Sequence, residues 1–112
     1  VGYEWWPSAE YVEGANVTRL MRGHGIGSLA ELRRRSVEDL EWFWNAVVED
    51  LAIPFSRPYR RVLDGSDPIQ WTRWFLGGEV NIAAACVDRW AEDPDRAARP
   101  AVVGESEDGS VR

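Results

Sequence analysis

The residues able to do chemistry are few and scattered. One His, His24, lies between Gly23 and Gly25 with no nucleophile spaced to use it as a base. One Cys, Cys86, falls on the predicted inner face of a short helix, where a small buried hydrophobe is expected rather than a thiolate. A closed zinc site needs about four ligands, which one His and one Cys cannot supply. The carboxylate pairs Glu49 with Asp50 and Asp93 with Asp95 sit in solvent-facing patterns, not as a general acid and base. Gly77-Gly78 is too short for a phosphate loop, and no Gly-rich Lys-Ser/Thr motif occurs. No catalytic, cofactor-binding or metal-binding residue is therefore assigned.

What remains distinctive is Trp71 to Trp90, where aromatics meet a Gly-Gly turn and an Asn that can cap a helix. Seven Trp in 112 residues require a very aromatic core or a large docking surface. Trp71, Trp74, Phe75 and Trp90 fit either role, and a docking surface would leave more than a few hundred Å² of apolar area exposed. Asp88-Arg89 reads as a structural pair or a helix-end contact.

The elements that must position these residues read as mainly α. Ser8 offers a cap for a helix over residues 9–22, with Tyr11, Ala15, Thr18 and Met21 as its stripe and Gly23 and Gly25 after it. Ser28 with Glu31 forms a capping box before Leu29 and Leu32. Ser36 with Asp39 repeats it, and Val37, Leu40, Phe43, Trp44, Val47, Val48 and Leu51 predict a helix over 37–51. Residues 52–70 read as a loop-rich crossing laid against a surface, with a short strand at Tyr59 to Leu63. Asn81 then caps a helix to about Trp90, with Ile82, Cys86, Val87 and Trp90 inward. Beyond Asp93-Pro94-Asp95, Ala101-Val102-Val103 and Ser110-Val111-Arg112 flank a Glu107-Asp108-Gly109 turn as a short C-terminal β-hairpin. A lone hairpin is marginal in water, so these strands are expected to complete a sheet supplied by sequence outside this chain.

Bulk properties bound the partners. The length suits one small domain. The net charge is −6, with thirteen basic residues that are all Arg, so no nucleic-acid footprint is present. Arg33-Arg34-Arg35 is answered by Glu38, Asp39 and Glu41, which reads as intrachain pairing or a solvated face. No window approaches the ~20 apolar residues of a membrane span, and Val1 to Pro7 lacks the regions of a secretory signal. The expected location is cytoplasmic. The missing initiator Met suggests a piece of a longer chain.

Trp74-Phe75, Gly78-Glu79-Val80-Asn81-Ile82-Ala83, Cys86-Val87-Asp88-Arg89, Arg99-Pro100-Ala101-Val102-Val103-Gly104-Glu105 and Glu107-Asp108-Gly109 together resemble a known pattern. It is that of the N-terminal region of acetyl-CoA synthetase and its acyl-CoA and acetoacetyl-CoA synthetase relatives. These are AMP-forming members of the adenylate-forming ligase superfamily. Trp6-Pro7-Ser8 with Asn16-Val17-Thr18-Arg19, and the Phe43-Trp44 pair, extend the resemblance upstream. Val87, Trp90 and Ala85 depart from the Leu, His and Asn usual in that pattern. The resemblance implies a helical accessory region at 1–92, and a linker with the first hairpin of the adenylate-forming domain at 93–112. It implies a full-length enzyme that joins a carboxylate to CoA using ATP and Mg²⁺, with its catalytic groups downstream and this region inactive alone. The implied partner is the catalytic body of the same polypeptide, with a homo-oligomer contact as a further option. Trp71, Trp74, Phe75, Asn81, Asp88, Arg89 and Trp90 are the expected packing or docking residues, Arg89 by bonding the body. A stand-alone helical interaction module is the alternative.

Overall fold

The computed structural model describes residues 5–111; Val1 to Glu4 and Arg112, the end of the expected returning strand, lie outside them. Among the described residues five helices and four short strands follow one another. The helices α1 (Ala9–Gly14), α2 (Asn16–Gly23), α3 (Leu29–Glu38) and α4 (Leu40–Asp50) come first. Then come β1 (Phe55–Arg57), β2 (Arg61–Asp64), a 3-10 turn Ile69–Trp71, β3 (Arg73–Leu76) and β4 (Glu79–Val80). A π-wound segment Ala84–Asp88 runs into α5 (Arg89–Ala91).

Helix starts follow their caps. Ser8 Oγ accepts from the Tyr11 amide at 3.2 Å and Ser28 Oγ from the Glu31 amide at 3.1 Å. Glu31 reaches back to the Gly27 amide at 3.1 Å, one residue earlier than an ordinary capping box would have it. Two expected helices are corrected. The helix over 9–22 is broken at Ala15, which is extended at φ −72 and ψ 138. There Thr18 Oγ1 donates to the Val12 carbonyl at 2.6 Å, a side chain competing with the helical ladder. The helix over 37–51 begins instead at Leu40, because Asp39 is itself the cap, its Oδ1 accepting from the Trp42 amide at 3.0 Å. Ser36 lies inside α3 and donates to the Arg33 carbonyl, and Val37 faces solvent.

The crossing after α4 is more ordered than a loop. β1 pairs antiparallel with β4 and β2 with β3, in registers that make residues 55–64 and 73–80 successive parts of one bent two-stranded ribbon. The expected strand at Tyr59 to Leu63 is β2, shifted to Arg61–Asp64. Its partner β3 went unread because Trp71, Trp74 and Phe75 show no two-residue alternation. At the other end, Ala101 to Val103 forms no strand. Among the described residues only Glu105 and Val111 bridge there, around a turn in which Gly109 takes φ 78 and Ser110 N–H bonds Asp108 Oδ1 at 2.9 Å.

The dry core is thin: Ile26, Leu32, Ala46, Val48 and Val62, where α4 packs against both α3 and β2. Beside it Asp64 is buried, paired with Arg73 and accepting the Ser66 amide at 3.2 Å. The Cα radius of gyration is 19.0 Å, against about 13 Å for a compact domain of this length. The accessible surface is 9304 Å², about 3000 Å² above that of a compact fold of this mass.

Asp50 and Asp64 are both held below the usual carboxylate range, Asp50 by the hydrogen-bonded Arg19 guanidinium, Asp64 by its bonds to Ser66 and then by Arg73. Their stabilisation is present above the unfolded value of about 3.9 and is lost as pH falls through the lower folded values. Thermal unfolding of the chain between pH 7 and pH 2 should show the midpoint dropping below about pH 4. Asp64→Asn should flatten that drop, and an unchanged profile would contradict the assignment.

Candidate docking surface

The Gly-Gly turn is shaped by packing. Phe55, Tyr59 and Phe75 form a ring cluster with centroids 5.0, 5.1 and 5.8 Å apart, in edge-on and tilted geometries. Tyr59 Oη donates to Asn45 Oδ1, and Asn45 donates to Glu49 at 2.7 Å, tying the cluster to α4. A Cβ on Gly78 would lie 2.9 Å from Phe55 Cε1 and 3.0 Å from Tyr59 Cβ. Gly77 takes φ 78, accepts Arg57 Nε on its carbonyl at 2.8 Å, and faces the Arg60 guanidinium. The space beside Gly78 is filled by the Phe55 and Tyr59 side chains.

Around this cluster the expected docking residues divide into groups. Trp74 stands opposite Leu63, 43% exposed, its ring 5.9 Å from Trp44 and 6.3 Å from Phe75. Trp71 ends the 3-10 turn at 67% exposed beside Ile69 at 89%. The ribbon thus carries apolar side chains outward at its tip. Leu40, Trp44 and Leu51 continue the apolar surface along α4. The Phe43-Trp44 pair was visible in the sequence, but its helical spacing assigned it to the interior.

The second group lies on the C-terminal helix. Asn81 Oδ1 accepts the Ala83 amide at 2.9 Å, as a cap should. Trp90 lies under two guanidinia, Arg89 at 4.3 Å and Arg96 at 4.4 Å. Among the described residues Asp88 makes no ion pair with Arg89. Arg89 instead donates from Nη1 to the Ala52 carbonyl at 2.9 Å and the Leu51 carbonyl at 3.3 Å. Its Nε is buried without a partner. The expectation that Ile82, Cys86 and Val87 point inward is corrected: all three are exposed, Ile82 at 66%. The helix has little of this chain behind it, and its π winding displaces the expected inner face. A cleft of about 480 Å³ opens between it and the following turn, lined by Cys86, Trp90, Arg96, Arg99 and Pro100.

In the Arg33-Arg34-Arg35 run two side chains have local partners. Arg34 pairs with Glu38, and Arg35 lies 3.6 Å from the Trp42 ring centroid. His24 packs edge-on against Trp42 at 5.2 Å. No group of three or more His, Cys, Asp or Glu among the described residues is placed to hold a metal ion. No helix among them is long and apolar enough to cross a membrane.

Residues 29–86, from the start of α3 into the π-wound segment, match the family described as acetyl-coenzyme A synthetase N-terminus. The chain belongs to this family. It is 35% identical to acetyl-coenzyme A synthetase of Thiobacillus denitrificans over 106 residues, 95% of the chain and 15% of that protein. It is 36% identical over 80 residues to 3-hydroxypropionyl-coenzyme A synthetase of Metallosphaera sedula, 71% of the chain and 12% of that protein. Among solved structures, acetoacetyl-CoA synthetase from Streptomyces lividans aligns at a TM-score of 0.61 and 38% identity, over 70% of the chain and 13% of that structure. The chain thus spans about one-seventh of the length of these relatives.

Gly78→Ala should destabilise the chain by roughly 1–3 kcal/mol, because Phe55 and Tyr59 must yield to the added methyl. Gly65, with nothing within 4 Å of its Cβ position, should accept Ala within about 0.5 kcal/mol. Chemical denaturation of the two variants measures both.

Proposed function

We propose that this chain is the N-terminal accessory region of an AMP-forming acyl-CoA ligase, inactive alone, whose work is to dock on the catalytic body of the same polypeptide. The observation that carries the proposal is the surplus surface. About 3000 Å² beyond a compact fold is well above the ~800 Å² per partner of an ordinary interface. Exposed Ile69, Trp71, Trp74 and Trp44 contribute apolar area to that total. An obligate intrachain partner of large area accounts for it, and relatives about seven times longer supply the precedent.

In this reading residues 1–92 are the accessory region, and 93–112 are the linker and first hairpin of the adenylate-forming domain. The Glu105–Val111 bridge would complete its pairing in a sheet of that domain. Trp71, Trp74 and Phe75 meet the body directly, while Asn81, Asp88, Arg89 and Trp90 shape the seam beside it. The full-length enzyme would be cytoplasmic. With Mg²⁺ it would convert carboxylate, ATP and CoA to acyl-CoA, AMP and pyrophosphate, using residues outside this chain. A stand-alone interaction module is the second reading, favoured by the same exposed rings.

Three measurements separate the readings. Calorimetry of the chain with Mg-ATP should show no binding, and micromolar binding would overturn the accessory assignment. The reading frame continued past Arg112 should encode a Ser/Thr/Gly-rich phosphate loop, whereas a stop codon there favours the interaction module. In the longer polypeptide Trp71→Ala with Trp74→Ala should lower thermal stability by several degrees for about 2 kcal/mol of lost burial. In the isolated chain Trp71→Ala alone should change stability little, as that ring is 67% exposed, whereas Trp74→Ala also removes the contact with Trp44.

A further inference from the structure

Both flanks of the chain meet at one place, the C-terminal end of α4. That end is closed by two backbone bonds: Ala52 N–H to the Glu49 carbonyl at 3.0 Å and Ile53 N–H to the Val48 carbonyl at 3.1 Å. This is the Schellman arrangement, with Ala52 in the left-handed region at φ 48, where glycine is the usual occupant. From the N-terminal side Arg19 of α2 grips Asp50 with two bonds, Nε to Oδ1 at 3.0 Å and Nη2 to Oδ2 at 2.8 Å. From the C-terminal side Arg89 of α5 donates to the carbonyls of Leu51 and Ala52. Three consecutive residues thus receive guanidinia from positions seventy residues apart in sequence.

Beyond the clasp, α2 is held only from its C-terminal end, by His24 against Trp42 and by Ile26 in the core. The helices α1, α2 and α5 and the π-wound segment contribute no buried residue. Asp50 in the last turn of α4 is also unfavourable to the helix dipole unless a cation answers it. Arg19 supplies that cation, and Arg89 satisfies carbonyls that the same turn leaves open.

We propose that this two-arginine clasp is a conformational coupling device, through which the order of the N-terminal arm and that of the C-terminal helix depend on each other. Loss of Arg89 frees the Leu51 and Ala52 carbonyls, the left-handed residue relaxes, and the last turn frays. Asp50 then moves with it, so α2 loses its anchor. Loss of Arg19 leaves a bare carboxylate at the negative end of α4, which loosens the turn that Arg89 holds. The clasp stands on these bonds alone and does not depend on the ligase reading.

Hydrogen exchange of the full chain, resolved by segment, tests the coupling. Arg89→Met should speed exchange of residues 16–23 as well as 82–91, and Arg19→Met should do the same in both, by about fivefold or more, as residues sharing one network do. If each substitution speeds only its own flank, the coupling is refuted. Should either variant lose protection at the core amides 46–48, Ala52→Gly decides, since it eases the left-handed backbone and does not threaten folding. It should slow exchange in both flanks, and slowing in only one or in neither overturns the proposal.

Discussion

Everything else in the chain hangs on the seating of α4 between α3 and β2. Ala46 and Val48 are buried in the small dry core, to which β2, packed against α4, contributes Val62. The other face of α4 is apolar too, through Leu40, Trp44 and Leu51, so the helix asks to be buried on both sides. This chain supplies only one of them. That imbalance explains how the chain can have ordered helices, satisfied caps and a packed turn, and still present far more surface than its mass requires.

The ribbon converts the imbalance into a shape. Its strands are anchored to α4 through Tyr59, Asn45 and the Trp44–Trp74 contact, while the connection between β2 and β3 projects Ile69 and Trp71 away from it. Asp64 and Arg73 lock the two strands just before that connection. The tip is thus held by a buried carboxylate at its base, and its apolar side chains face outward as a consequence of register.

Much of the local structure was legible in the sequence, because caps are local. Ser8, Ser28 and Asn81 act where their spacing says they should, and the family resemblance carried by residues from Trp74 to Arg89 agrees with the 29–86 match. The failures came where local and tertiary signals conflict. Asp39 could have completed a box begun by Ser36 or capped a helix of its own, and sequence spacing does not choose between them. The ribbon was half hidden because Trp74 and Phe75 are adjacent and both apolar, which blurs a period of two. Orientation of the last helix failed for a further reason: its inner face was inferred as though this chain supplied the interior. Arg89 contacts a helix end, but that of α4, thirty-eight residues earlier in the chain, which the spacing around Asp88-Arg89 does not show.

The π winding of Ala84–Asp88 makes the geometry of that contact a matter of backbone winding. A π turn holds one residue more than the α-helical turn it replaces. Winding the same residues as a regular α-helix, with none removed, would rotate everything after them by about 100° relative to Asn81. Arg89 would swing off the α4 carbonyls and Trp90 would leave its place beneath Arg96, though neither residue had been altered. In this segment the direction of Arg89 is set by how the backbone is wound, and the winding from the Asn81 cap to Arg89 is itself part of the structure's information.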